Sequence, residues 1–101
     1  ADFDNRDVFA IAKQDNMCVT VIVRIRNGRI HSREKISINI GDESDADIFE
    51  SVITQFYLDS DFIPKTINVA KNPTNKKQLL VWLTEKRSGP VHIQVPKRGE
   101  K

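Results

Sequence analysis

Three sets of residues have the types and spacing to do chemistry. The first is acidic: Asp7 stands just ahead of the apolar run VFAIA, and Asp45, Asp47 and Glu50 fall within one predicted helix. Converging carboxylates can hold a pair of divalent cations that stabilise the attacking and leaving oxygens of phosphoryl transfer. A sheet-based nuclease would need such an acid inside its first strand, and Val8 to Ala12 supply none. Asp7 is therefore expected to mark a strand start or an interdomain contact, and the helix acids, opposite an apolar stripe, to form a solvated face. The second set is basic. Arg24, Arg26, Arg29 and Arg33 surround a predicted hairpin turn, and Lys97 and Arg98 open the closing run KRGEK. Such residues neutralise phosphates; a solvent-facing sheet side with long basic side chains is the competing reading. The third set is sparse. His31 and His92 lie in separate strands with no cysteine or second histidine at ligand spacing, and the single Cys18 sits in an apolar run as a small hydrophobe. There is no glycine-rich phosphate loop and no nucleophile elbow. No catalytic residue, metal ligand or cofactor is assigned to this chain.

The elements that must position these residues begin with β patterns. After Asp7 comes a short apolar strand, then Gln14-Asp15-Asn16 as a turn, then MCVTVIVRIR, rich in β-branched residues. Its later part alternates, with Val21, Val23 and Ile25 expected on the core face and Ile22, Arg24 and Arg26 on the other. Asn27-Gly28 is a strong hairpin signal because both residues tolerate the positive φ of a type I′ turn. Ile30, Ile36, Ile38 and Ile40 continue the alternation in a third antiparallel strand.

After Gly41 the period changes from 2 to 3.6. Ser44 is the expected N-cap and Asp47 the acid of a capping box, and Ile48, Phe49, Val52, Ile53, Phe56 and Tyr57 make one apolar stripe, giving a helix over 45–58. A short strand follows over Thr66–Val69. Asn72 to Asn75 start a second helix anchored by Leu79, Leu80, Trp82 and Leu83, which Gly89 ends before a last strand through Val91, Ile93 and Val95. Trp82 and Tyr57 are expected in the core, and Phe3 to pack locally. The order βββαβαβ is that of an RNase H-like mixed sheet, an α+β arrangement, with a ferredoxin-like or other small α+β domain as the alternative on pattern alone.

Composition sets outer bounds. A chain of 101 residues has room for one core, read as a flank at 1–6, a domain at 7–96 and the start of a linker at 97–101. No apolar run reaches membrane-spanning length, and the acidic opening is unlike a signal peptide, so a cytoplasmic location is expected. The net charge of +2 hides an asymmetry: residues 1–61 hold 12 acidic and 7 basic side chains, residues 62–101 hold 2 and 9. The second part would attract nucleic acid and the first repel it.

Three stretches then carry a resemblance: DVFAIAKQDNMCVTVIVRIRNGRI, ESVITQFYL with IPKTINV, and LLVWLTEKRSGPVHIQVPKRGEK. In order and spacing they resemble the central region of the UvrC family, the nuclease subunits of bacterial nucleotide excision repair. The resemblance implies a region lying between a GIY-YIG nuclease and a UvrB-binding segment on one side and an RNase H-like nuclease with helix-hairpin-helix motifs on the other. It implies an RNase H-like fold without the catalytic set, since the family's Asp-Ile-Ser-His motif has no match here. UvrB, DNA and neighbouring UvrC domains become the expected partners, and a divalent metal is expected only for the nuclease domains of the full-length protein. The fragment itself is then a non-catalytic positioning module, with Arg24, Arg26, Arg29, Arg33, Lys97 and Arg98 as its DNA-contact residues. The alternatives are a purely protein-binding domain and, third, a cryptic metal-dependent nuclease built on Asp7 with the helix acids.

Overall fold

The computed structural model describes residues 4–97. Five strands and two helices follow in the order β1 (Arg6–Gln14), β2 (Met17–Arg26), β3 (Arg29–Asn39), α1 (Asp45–Leu58), β4 (Thr66–Val69), α2 (Lys76–Arg87) and β5 (His92–Gln94). They make one sheet of spatial order β3-β2-β1-β4-β5. The first three strands are antiparallel, while β4 runs parallel to β1 and β5 parallel to β4. Parallel strands need a crossover, and α1 and α2 supply the two crossovers.

Local chemistry explains the joints. Asn27 and Gly28 have φ of 54° and 76°, the positive values that a two-residue turn between right-twisted strands requires. The Gly28 N–H donates to the Asp4 carbonyl at 2.9 Å, and the Asn27 N–H to Asn5 Oδ1 at 3.0 Å, so the N-terminal segment is tied to this turn. At the start of α1 the Asp47 N–H donates to Ser44 Oγ at 3.2 Å, satisfying one of the orphan donors of the first turn. Helix α2 ends one residue earlier than expected from its glycine. Ser88 takes the left-handed conformation at φ 62°, and the N–H groups of Ser88 and Gly89 both donate to the Thr84 carbonyl.

Both helices contribute to a single core on one side of the sheet. Ile48, Phe49, Val52, Ile53 and Tyr57 of α1 and Leu79 and Leu83 of α2 meet Phe9, Cys18, Ile22, Ile67, Val69 and Ile93 from the strands. Phe9 is the centre of this packing, with ring centroids 5.6 Å from Phe56 and 6.0 Å from Tyr57, edge-on or tilted as aromatic quadrupoles favour. Trp82 packs on the margin of the core, and Cys18 is fully buried.

The structure corrects three expectations. First, the core face of β2 is the reverse of the one expected: Cys18, Thr20 and Ile22 are buried under the helices, whereas Val21, Val23 and Ile25 are half-buried on the opposite side. Alternation fixed which residues share a face but not which face the helices cover. The two arginines decided that reading wrongly, because Arg24 and Arg26 point to the helix side, where two acids and two aromatic rings receive them. Second, β1 begins at Arg6, so Asp7 lies within the strand and pairs with Arg24 on one side and Ile67 on the other. Third, β5 is only three residues long, and Val95 lies beyond it, 42% exposed. Phe3 and Arg98 lie outside the described residues, as does the tail after Lys97.

Candidate functional site

Among the described residues Asp7, in β1, is the one buried acid, and it is completely inaccessible. A lone ionised carboxylate in such a place would be very costly, so its partners decide what it does. Arg26 Nη1 donates to Asp7 Oδ1 at 2.9 Å, and the Tyr57 hydroxyl donates to Asp7 Oδ2 at 2.5 Å. Strand β2 brings Arg26 alongside β1, and α1 presents Tyr57 from above. Arg26 is held further by the carbonyls of Ile25 at 2.8 Å and Arg6 at 3.3 Å. Burial first, and then the charge of Asp7, hold the Tyr57 phenol well above its usual pKa of 10.0, so it acts as a donor and not as a base.

This arrangement does not fit a divalent ion. A guanidinium already occupies the place that a cation would take against Oδ1, and a phenol proton occupies Oδ2. The other acids are engaged at the far end of α1. Asp45 pairs with Lys13. Asp47 Oδ1 accepts from the Thr74 hydroxyl at 2.7 Å, and Glu50 Oε2 accepts from Asn75 at 3.2 Å. The Thr74 hydroxyl and then Ser44 hold the Asp47 carboxyl below its usual pKa of 3.8. Among the described residues no three His, Cys, Asp or Glu side chains converge as a metal site.

The hairpin arginines do not share one face. Arg24 pairs with Glu34 at 3.0 Å and lies over the Phe56 ring at 4.7 Å; Arg26 lies over Phe62 at 4.8 Å. Cation and ring attract through the quadrupole, so both guanidinium groups are held inward. Arg29 faces Arg26 across the ladder and is exposed, while Arg33 sits opposite Val23 on the other side of the sheet, also exposed. Lys97 is exposed at the end of the described chain. His31 and His92 are exposed. The sequence reading missed the Asp7–Arg26–Tyr57 cluster because its members are 19 and 50 residues apart. The signal available was an arginine on the same side of β2 as buried Ile22.

A model of the UvrC ribonuclease H-like domain matches residues 5–101. The chain belongs to that family. The UvrABC system protein C of Clostridioides difficile is 35% identical over 98 residues, covering 96% of this chain and 16% of that protein. That of Clostridium tetani is 37% identical over 100 residues, with 98% and 16% covered, and that of Clostridium perfringens is 40% identical over 78 residues, with 76% and 13% covered. This UvrC-type domain thus spans about a sixth of the length of the first of these relatives, and its mixed five-stranded sheet with two helices is the RNase H-like fold of the family. Its first strand carries a carboxylate that is used to hold β2 and α1 to β1.

Proposed function

We propose that this domain is a non-catalytic module of an excision-repair nuclease subunit, and that it positions the nuclease parts of the longer protein relative to one another. The reading is carried by one observation: both oxygens of Asp7 are taken, one by Arg26 and one by Tyr57. A catalytic acid in an RNase H-like sheet must be free to bind metal, and this one is spent on cohesion. A rigid spacer is useful to a dual-incision nuclease, because a misplacement of an ångström or so can cost about 100-fold in rate. In this reading the partners are neighbouring domains of the same protein, UvrB and the DNA they act on. Metal-dependent chemistry and its divalent cation belong to the other domains, and the setting is the cytoplasm.

The test uses the full-length protein with Asp7→Asn, assayed for incision on both sides of a lesion at a temperature where the variant remains folded. Both incision rates are expected to stay within about threefold of wild type. Loss of either incision by several orders of magnitude would make Asp7 a metal ligand and end the reading.

Direct DNA contact is a second reading, favoured by the exposure of Arg29, Arg33 and Lys97, none of which has an ion-pair partner among the described residues. Arg29 and Arg33 lie on opposite sides of the sheet, so each would contact phosphate separately; each contact adds about −0.9 to the salt slope, and affinity for a duplex containing a bubble should fall roughly 3.5-fold per contact between about 50 and 200 mM salt. The combined variant Arg29→Glu with Arg33→Glu should abolish that binding. Arg24→Glu is a poor probe, since it breaks the Glu34 pair.

A further inference from the structure

The side of the sheet away from the helices carries a chemical pattern that the positioning role leaves unused. Val8, Ala10 and Ala12 of β1 lie in register with Val23, Val21 and Val19 of β2, and Ile25 pairs with Ile30, which is 53% exposed. The ladder gives this face Arg33 and Lys35 from β3, Arg6 from β1, whose guanidinium is already paired with Asp4 at 2.9 Å, Thr66 and Asn68 from β4, and His92 and Gln94 from β5. No acidic residue stands among these paired positions. An apolar floor with a basic border is thus laid along the sheet, and single-sided antiparallel strands of this kind would ordinarily show polar residues to water.

A second feature lies on the same face. A groove of about 350 Å³ runs between β1 and β4, lined by Val8, Ala10, Asn68, Ala70, Val95 and Pro96. Asn68 is only 6% exposed, and its Oδ1 has no hydrogen-bond partner among the described residues. The missing occupant therefore has an apolar surface and acidic flanks.

We infer that this open sheet face docks an amphipathic helix with acidic flanks, supplied by another part of the same longer polypeptide. A second copy of this domain would set basic border against basic border. DNA would meet Arg33 and Lys35 only at the border, with most of its phosphates over a floor of valines and alanines that carries no positive charge. A helix of the same polypeptide is favoured, because the relatives are about six times the length of this chain and tethering gives such a helix a high effective concentration. The inference rests on the positioning role and names the surface through which it acts.

The experiment compares thiol labelling by a maleimide, read by peptide mass spectrometry, in the full-length protein and in the 101-residue chain, whose two helices and sheet bury a common core. The probes are Val21→Cys and, should that variant fold poorly, Ala10→Cys, with Glu85→Cys on exposed α2 as the reference. Relative to that reference, labelling at Val21→Cys should be at least tenfold slower in the full-length protein. Adding Arg33→Glu with Lys35→Glu should restore most of the lost rate. Equal rates in both proteins would overturn the docking proposal while leaving the incision test of Asp7 untouched. Protection that appears in the short chain as its concentration rises would assign the face to a second copy. Protection seen only after UvrB or DNA is added would assign it to that partner, and protection indifferent to the charge reversal would remove the acidic helix. Each of these three results would likewise overturn the inference.

Discussion

Replacing Arg26 by methionine is expected to destabilise the domain by about 3 kcal/mol or more, because it leaves the carboxylate of Asp7 buried without its cation. Asp7 is completely inaccessible and the Arg26 side chain is 20% exposed, so water can replace the guanidinium only in part. For a domain of this size the loss corresponds to a drop in melting temperature of about 12 °C or more. The triple variant Asp7→Leu, Arg26→Met and Tyr57→Phe removes the charge, the cation and the donor together, and should recover much of the stability, since apolar replacement of a buried pair is often neutral or better. Urea unfolding of the set measures both values. A cost below about 0.5 kcal/mol for Arg26→Met would mean that Asp7 is not held as described. The same cluster sets an alkaline limit. The folded state keeps the Tyr57 proton at a pH where the unfolded chain, with an ordinary phenol, has lost it. Stability from this group is therefore fully present below about pH 10 and is lost as pH rises through the folded value. Tyr57→Phe should remove that part of the alkaline decline.

The second large effect separates two adjacent residues of similar hydrophobicity. Ile22→Ala is expected to cost about 2–5 kcal/mol, because Ile22 is fully buried beneath the helices and its loss leaves a cavity as well as unburied methyl groups. Val21→Ala, one residue earlier and half-buried on the open face, should cost about 1 kcal/mol or less in the 101-residue chain. Comparable losses at the two positions would return the core to the face that alternation first suggested. The contrast is large because both described helices lie on one side of the sheet, so a single register step exchanges core for surface.

Much of the architecture was legible because the signals were local. The helix over 45–58 and the strand over Thr66–Val69 are where the period and the punctuation put them, since Ser44 caps one end of α1 and the apolar stripe is unbroken to Tyr57. Asn27-Gly28 forms its turn because two neighbouring residues suffice to specify it. What failed were the face of β2 and the place of Asp7, both of which needed to know what lies across space. The face of β2 depended on Arg24 and Arg26 finding Glu34, Asp7, Phe56 and Phe62, and long side chains that snorkel or pair inward carry no mark of it in the alternation. Asp7 likewise reads as a strand-start acid until β4 and α1 close around it. The four hairpin arginines look like one cluster in sequence, and the ladder divides them between two faces.

The most direct test of the central claim is a Mn²⁺ titration of the isotopically labelled 101-residue chain, followed by the backbone amide signals of Asp7, Ile67 and Tyr57. If Asp7 serves cohesion, these signals keep their width at millimolar Mn²⁺, and any broadening is weak and confined to exposed acids such as Asp42 and Asp59. Selective, saturable broadening centred on Asp7 would show a metal displacing Arg26 from its carboxylate, and would contradict the account.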